Sequence, residues 1–237
     1  DVFRFPPLTP VVRTFLVIFL TAYVGLLIAD NWLGLDLVRL LALSTAGGAW
    51  VGNVWQVVTY PLAQDLRPQG VMSFLVSAIF FWLVVGPYEQ SFGAKRTLQV
   101  MAFSLLGGSL PALGVGLLMP GVLFGFGTLI LGPFVAWAWA MHTMKQTANF
   151  FGVMTMKPTT MILAVLAVSL LHFLASGSFM SLAADLGAAG AGVLFTELLS
   201  RPPTGKKRER KASGGRRRGP ALEVIPGGKD DPPKWLN

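Results

Sequence analysis

Within or beside the apolar stretches of this 237-residue chain, Thr128, His142, His172 and Asp185 are candidates to carry chemistry. A hydroxyl becomes a nucleophile only when a base removes its proton. One reading therefore pairs Thr128 with Asp185 as an unorthodox Thr/Asp site. Against it, threonine in an apolar helix commonly hydrogen-bonds its own backbone, and no oxyanion-binding group is evident beside the pair. The two histidines lie thirty positions apart, cysteine is absent and the carboxylates are scattered, so no metal cluster is expected. No phosphate loop or nucleotide fingerprint occurs, and no cofactor is expected.

The elements that must position these groups follow from composition. With 53% hydrophobic and 13% charged residues, the chain is too apolar for an ordinary soluble domain. A bilayer core about 30 Å thick needs about 20 apolar residues per helix. Six runs fit, at about 11–29, 71–86, 98–119, 121–141, 159–175 and 180–199. The expected fold is an all-α, polytopic membrane protein, a six-helix bundle over 11–199, with a short N-terminal segment 1–10. The first run lacks the charged start and small-residue cleavage site of a signal peptide, so it is read as a retained helix. The loop 30–70 is too polar to span but rich in Trp, Tyr and Leu, as suits the membrane interface.

Residues 200–237 form a basic tail with eleven Lys and Arg against Glu209, Glu223, Asp230 and Asp231. Its Pro, Gly and charge cannot bury a core, so it is expected to be disordered when alone. Anionic lipid is its expected partner, at about 1 kcal/mol per basic residue near the surface. Nucleic acid is unlikely on this reading, because aromatics for base stacking are not interleaved with the charges. If the N-terminus is inside, Arg4, Arg13, Lys95, Arg96, Lys145, Lys157 and the tail's eleven all fall inside, leaving Arg39 and Arg67 outside. That asymmetry predicts both termini in the cytoplasm, with loop 30–70 external. A bacterial inner membrane is the expected location.

Asp185 stands out in this setting. A carboxylate near the bilayer centre costs about 2.5–3.5 kcal/mol on insertion scales and ordinarily has a partner or a role. His172, near the end of the neighbouring fifth run, is the candidate partner in the same chain. Otherwise Asp185 is protonated and bonded to backbone, or meets a polar group on another protein. His142 sits near Lys145 at the end of the fourth run, where a cation is mildly favoured, and reads as structural.

Four segments together carry a resemblance. WQVVTYPL lies in the first loop, GPYEQSFGAKR follows the second run, GFGTLILG occupies the fourth and DLGAAGAG the sixth. In order and spacing they resemble the rhomboid intramembrane serine proteases, over about Val11 to Leu199. The family's Gly-x-x-Glu-x-x-x-Gly segment is met by Gly86, Glu89 and Gly93, positions that the resemblance makes structural. Active members open the fourth helix with Gly-x-Ser-Gly and another Gly four residues on; aligning Gly125 and Gly132 puts Gly127 at the nucleophile's place. They carry His-x-Gly-Gly in the sixth helix, again with Gly four residues on; aligning Gly187 and Gly192 puts Asp185 at the place of the histidine base. The oxyanion-holding His and Asn of the second helix fall on Phe74 and Ala78, neither of which can donate a side-chain hydrogen bond.

The resemblance thus implies a pseudoprotease: a scaffold that binds transmembrane helices of partner proteins, as do inactive relatives such as the derlins, and serves as a subunit of a membrane complex. Binding or structural roles are expected of Asp185, His172, Gly125, Gly132, Gly187, Gly192 and Glu89. In this reading Gly127 lies six residues inside its helix and Asp185 five inside its own, matching their depths at about 1.5 Å per residue. The spacings Gly121 to Gly125 and Ala188 to Gly192 are expected to let the fourth and sixth helices touch. A transporter would need broken helices or several interior polar groups, and only Asp185 and His172 qualify.

Overall fold

The structure, a computed structural model, describes residues 7–46, 52–150 and 154–200. The chain divides into Asp1–Arg201 and Pro202–Asn237. The second unit, and with it the expected disordered tail, lies outside the described residues.

Helix α1 runs Pro10–Leu33, with proline in its first turn, where a missing N–H costs nothing. Two of its remaining N-terminal donors are satisfied from 78 residues away. The buried Glu89 carboxylate accepts from Val11 N–H at 3.1 Å and from Val12 N–H at 3.3 Å. A negative group there also complements the helix dipole. The helix stops at Gly34, whose φ of 65° is the left-handed conformation glycine adopts freely.

The connection to the next long helix is ordered by side-chain hydrogen bonds rather than by a core of its own. It contains α2 (Leu37–Leu41), strand β1 (Leu43–Ser44), α3 (Gln56–Thr59) and a 3-10 turn at Tyr60–Leu62. Buried Gln56 donates to the carbonyls of Arg39 and Leu40 and accepts from Ser44 N–H. Trp55 donates to Leu40 O and Thr59 to Leu41 O. The polar residues of the WQVVTYPL segment thus tie α3 to α2.

Helix α4 (Pro68–Phe92) outlasts its expected end at Gly86 by six residues, continuing through Pro87, and that extension places Glu89 beneath α1. Gly93, with φ 82°, turns the chain into α5 (Ala94–Leu118). A second correction falls on the fourth apolar run. Residues 121–126 are not helical: Val122–Leu123 forms β2, antiparallel to β1, and α6 spans Gly127–Thr143. Strands β3 (Ala148–Phe150) and β4 (Met154–Met156) make a second antiparallel ribbon. Helices α7 (Pro158–Ser176) and α8 (Phe179–Ser200) complete the fold.

Among the described residues five helices, α1, α4, α5, α7 and α8, are long and apolar enough to cross a membrane. With 17 residues α6 is shorter, and ten of those are buried, which makes it the central helix. Helix α8 packs most extensively on α5 and next on α6, whereas α7 touches mainly α6 and α8.

Candidate functional site

A cavity of about 750 Å³ lies over the N-terminus of α6, with walls from α4, α6, α7 and α8. Its lining is chiefly apolar. The polar exceptions are Ser77, Thr128, Ser169, His172, Ser181 and Asp185. Phe80 of α4 and Val168 of α7 line it while remaining 56% and 62% exposed, so it opens sideways on the α4 and α7 flank.

Gly127 is the first residue of α6 rather than the seventh, because the preceding segment is held extended. Gly125 has φ 89°, and its N–H donates to Tyr60 O at 3.2 Å and Ala63 O at 2.8 Å. Those bonds and the β1–β2 pairing fasten the first loop to the start of α6. Gly127 is exposed to the cavity, and a Cβ there would meet nothing within 4 Å. The Gly121 and Gly125 pair lies outside α6; Gly121 borders α8, where an added Cβ would lie 3.5 Å from the Met180 sulfur.

Thr128, next in sequence, is 3% exposed, and its hydroxyl lies 2.6 Å from the Tyr60 hydroxyl. Tyr60 sits in the loop, outside the membrane-spanning helices. Burial pushes its phenol up to about 12; the Thr128 hydrogen bond works against that shift and the Asp185 charge adds to it. The phenol is thus protonated at neutral pH, able to share its proton with Thr128 but not to act as a base.

The two expected oxyanion positions hold hydrocarbon. Phe74 is buried and stacks on Tyr23 of α1 with ring centroids 4.3 Å apart, and it meets Phe126 edge-on at 5.9 Å. Phe126 in turn stacks on Phe19 at 4.4 Å and meets Phe81 at 6.1 Å. Half-buried Ala78 packs against the same cluster. The aromatic group joins α1, α4 and the entry of α6.

Asp185 is half-buried in α8 and lines the cavity opposite Ser169 of α7. His172 acts on it electrostatically. No ion pair joins the two among the described residues, and His172 is exposed. One helical turn before Asp185, Ser181 meets the Ser178 hydroxyl at 2.9 Å, and Ser178 accepts from Ser181 N–H in the first turn of α8.

Gly132, Gly187 and Gly192 mark where backbones press together. A Cβ on Gly132 would strike the Ser104 side chain, one on Gly187 the Gly107 carbonyl of α5, and one on Gly192 the Gly132 carbonyl. These contacts bring α5, α6 and α8 to close approach, the arrangement small residues allow in lipid. Glu89 lies away from the cavity, beneath α1. His142, in the last turn of α6, is exposed and tilts against Trp139 at 5.4 Å.

Two participants escaped the sequence reading. Ser169 lies one turn from His172 on the same helix face, a spacing that could have flagged it. Tyr60 meets Thr128 across 68 residues, and no local pattern announces that pairing.

The sequence matches the rhomboid domain family over residues 51–202. The match takes in α3 to α8 and every wall of the cavity. No curated protein matches the chain.

Proposed function

The chain belongs to the rhomboid family, and from that premise we propose that it is a non-catalytic member that binds transmembrane helices of partner proteins, as a scaffold or accessory subunit of a membrane complex. With five helices long and apolar enough to cross a bilayer, it is an integral membrane protein. The proposed topology adds α6 as a sixth span, places both termini in the cytoplasm of a bacterial cell and sets the basic tail against anionic lipid.

One observation carries the reading. The cavity is wide, apolar and open to the side, and the residues that the resemblance aligns with the family's nucleophile, base and oxyanion positions are Gly127, Asp185, Phe74 and Ala78. A lateral apolar opening suits a membrane-embedded helix, since close packing drives association in lipid. Thr128, the hydroxyl nearest the nucleophile's place, is buried and engaged with Tyr60, which counts against its serving as a substitute.

A photo-crosslinking amino acid at Phe80 or Val168, in native membranes, tests the proposal. Both positions are expected to capture integral membrane proteins, whereas Leu106 on α5, which does not line the cavity, is expected to capture none of the same species. Failure of both cavity positions to capture a membrane protein would overturn it.

A further inference from the structure

The cavity's charge is one-sided. Asp185 of α8 lines the cavity, whose wall holds no Lys or Arg among the described residues. Ser169 and His172 of α7 line the same cavity, and among the described residues no ion pair joins His172 to Asp185. A carboxylate has about four acceptor sites, and Asp185 lines the cavity that a partner would occupy. Membrane-embedded charges are stabilised by pairing with one another. Asp185 is the seventh residue of α8, which at about 1.5 Å per residue sets it about 9 Å in from the helix start.

We propose that the transmembrane helix received by this cavity carries a cationic side chain, Lys or Arg, about 9 Å in from the membrane face at which α8 begins, and that Asp185 selects it. The inference rests on the reading of the cavity as a helix-binding site and adds the chemistry of the occupant. The apolar wall, with Phe80 and Val168, packs against the rest of the incoming helix.

The test uses the full chain in uncharged phosphatidylcholine bilayers with four synthetic leucine-rich helices. One is wholly apolar, one carries Lys at the stated depth, one carries Lys at the same depth from the opposite end, and one carries Glu at the stated depth. Interhelical polar contacts in lipid predict that the matched Lys helix binds roughly five- to thirty-fold more tightly than the apolar one. In Asp185→Asn that preference is expected to vanish while the apolar helix binds as before, and Asp185→Lys is expected to transfer the preference to the Glu helix. Equal binding of the matched Lys helix and the apolar helix by the native chain overturns the inference and leaves helix binding intact. So does a Lys preference that survives in Asp185→Asn. If no helix binds, helix binding itself fails, and the inference with it.

Discussion

The Tyr60 hydroxyl lies 2.6 Å from the Thr128 hydroxyl, joining the first loop to the first turn of α6 across 68 residues. Tyr60 is fully buried and Thr128 nearly so, so neither group has water as a ready substitute for the other. Removing one partner strands the other at a cost of about 1–3 kcal/mol. Tyr60→Phe and Thr128→Val are each expected to lower stability by about that much, and the double variant by clearly less than the sum. Thermal unfolding in mild detergent measures it, and additive losses would show that the two hydroxyls do not depend on each other.

The same tyrosine gives the fold a high-pH sensitivity. Its phenol, pushed up to about 12 in the folded chain, has a value of about 10 when unfolded. Below pH 10 both states are protonated and the group contributes no pH dependence. Between 10 and 12 the unfolded state loses the proton first, so stability falls as pH rises. The native chain is expected to lose on the order of 2–3 kcal/mol more across that window than Tyr60→Phe. Parallel stability curves for the two would contradict the assignment.

The glycines separate into two kinds. A methyl group at Gly127 enters open space, whereas one at Gly132 or Gly192 enters a neighbouring helix. Gly127→Ala is expected to change stability by no more than about 0.5 kcal/mol, and Gly132→Ala and Gly192→Ala to cost about 1–3 kcal/mol each. A Gly127→Ala variant as damaged as the other two would mean that the start of α6 is packed rather than open.

That contrast also marks how far the sequence could be read. Apolar runs locate the helices, because a bilayer demands long ones. They misplace the start of α6, because 121–126 is as apolar as a helix but is held extended by β1 and by the Tyr60 and Ala63 carbonyls. Hydropathy does not distinguish a short buried strand from a helical turn; the Pro120 and glycine punctuation was the available signal. Gly192 is legible as a close-packing position from its spacing to Ala188, while Gly132 and Gly187 stand out only through the family resemblance. The roles of Glu89 and Tyr60 were not legible, since each is defined by a partner more than sixty residues away.

The proposed topology is open to a direct check, because the chain contains no cysteine. Cysteine placed at exposed Val54 is expected to react with a membrane-impermeant maleimide in intact cells, and cysteine at Lys145 only after the membrane is opened. The opposite pattern would invert the orientation.

The central claim is that this rhomboid scaffold holds transmembrane helices without cutting them. Its most direct test is the mass of a helix after it has been bound. A synthetic transmembrane helix with a cationic residue at the depth of Asp185 is incubated overnight with the purified chain in bilayers, then crosslinked from Val168 and weighed by mass spectrometry. The account predicts an adduct equal in mass to the chain plus the entire helix, with no fragments in the unbound pool and no labelling of the chain by a serine-directed fluorophosphonate. Helix fragments that disappear in Thr128→Ala would contradict it by showing a protease.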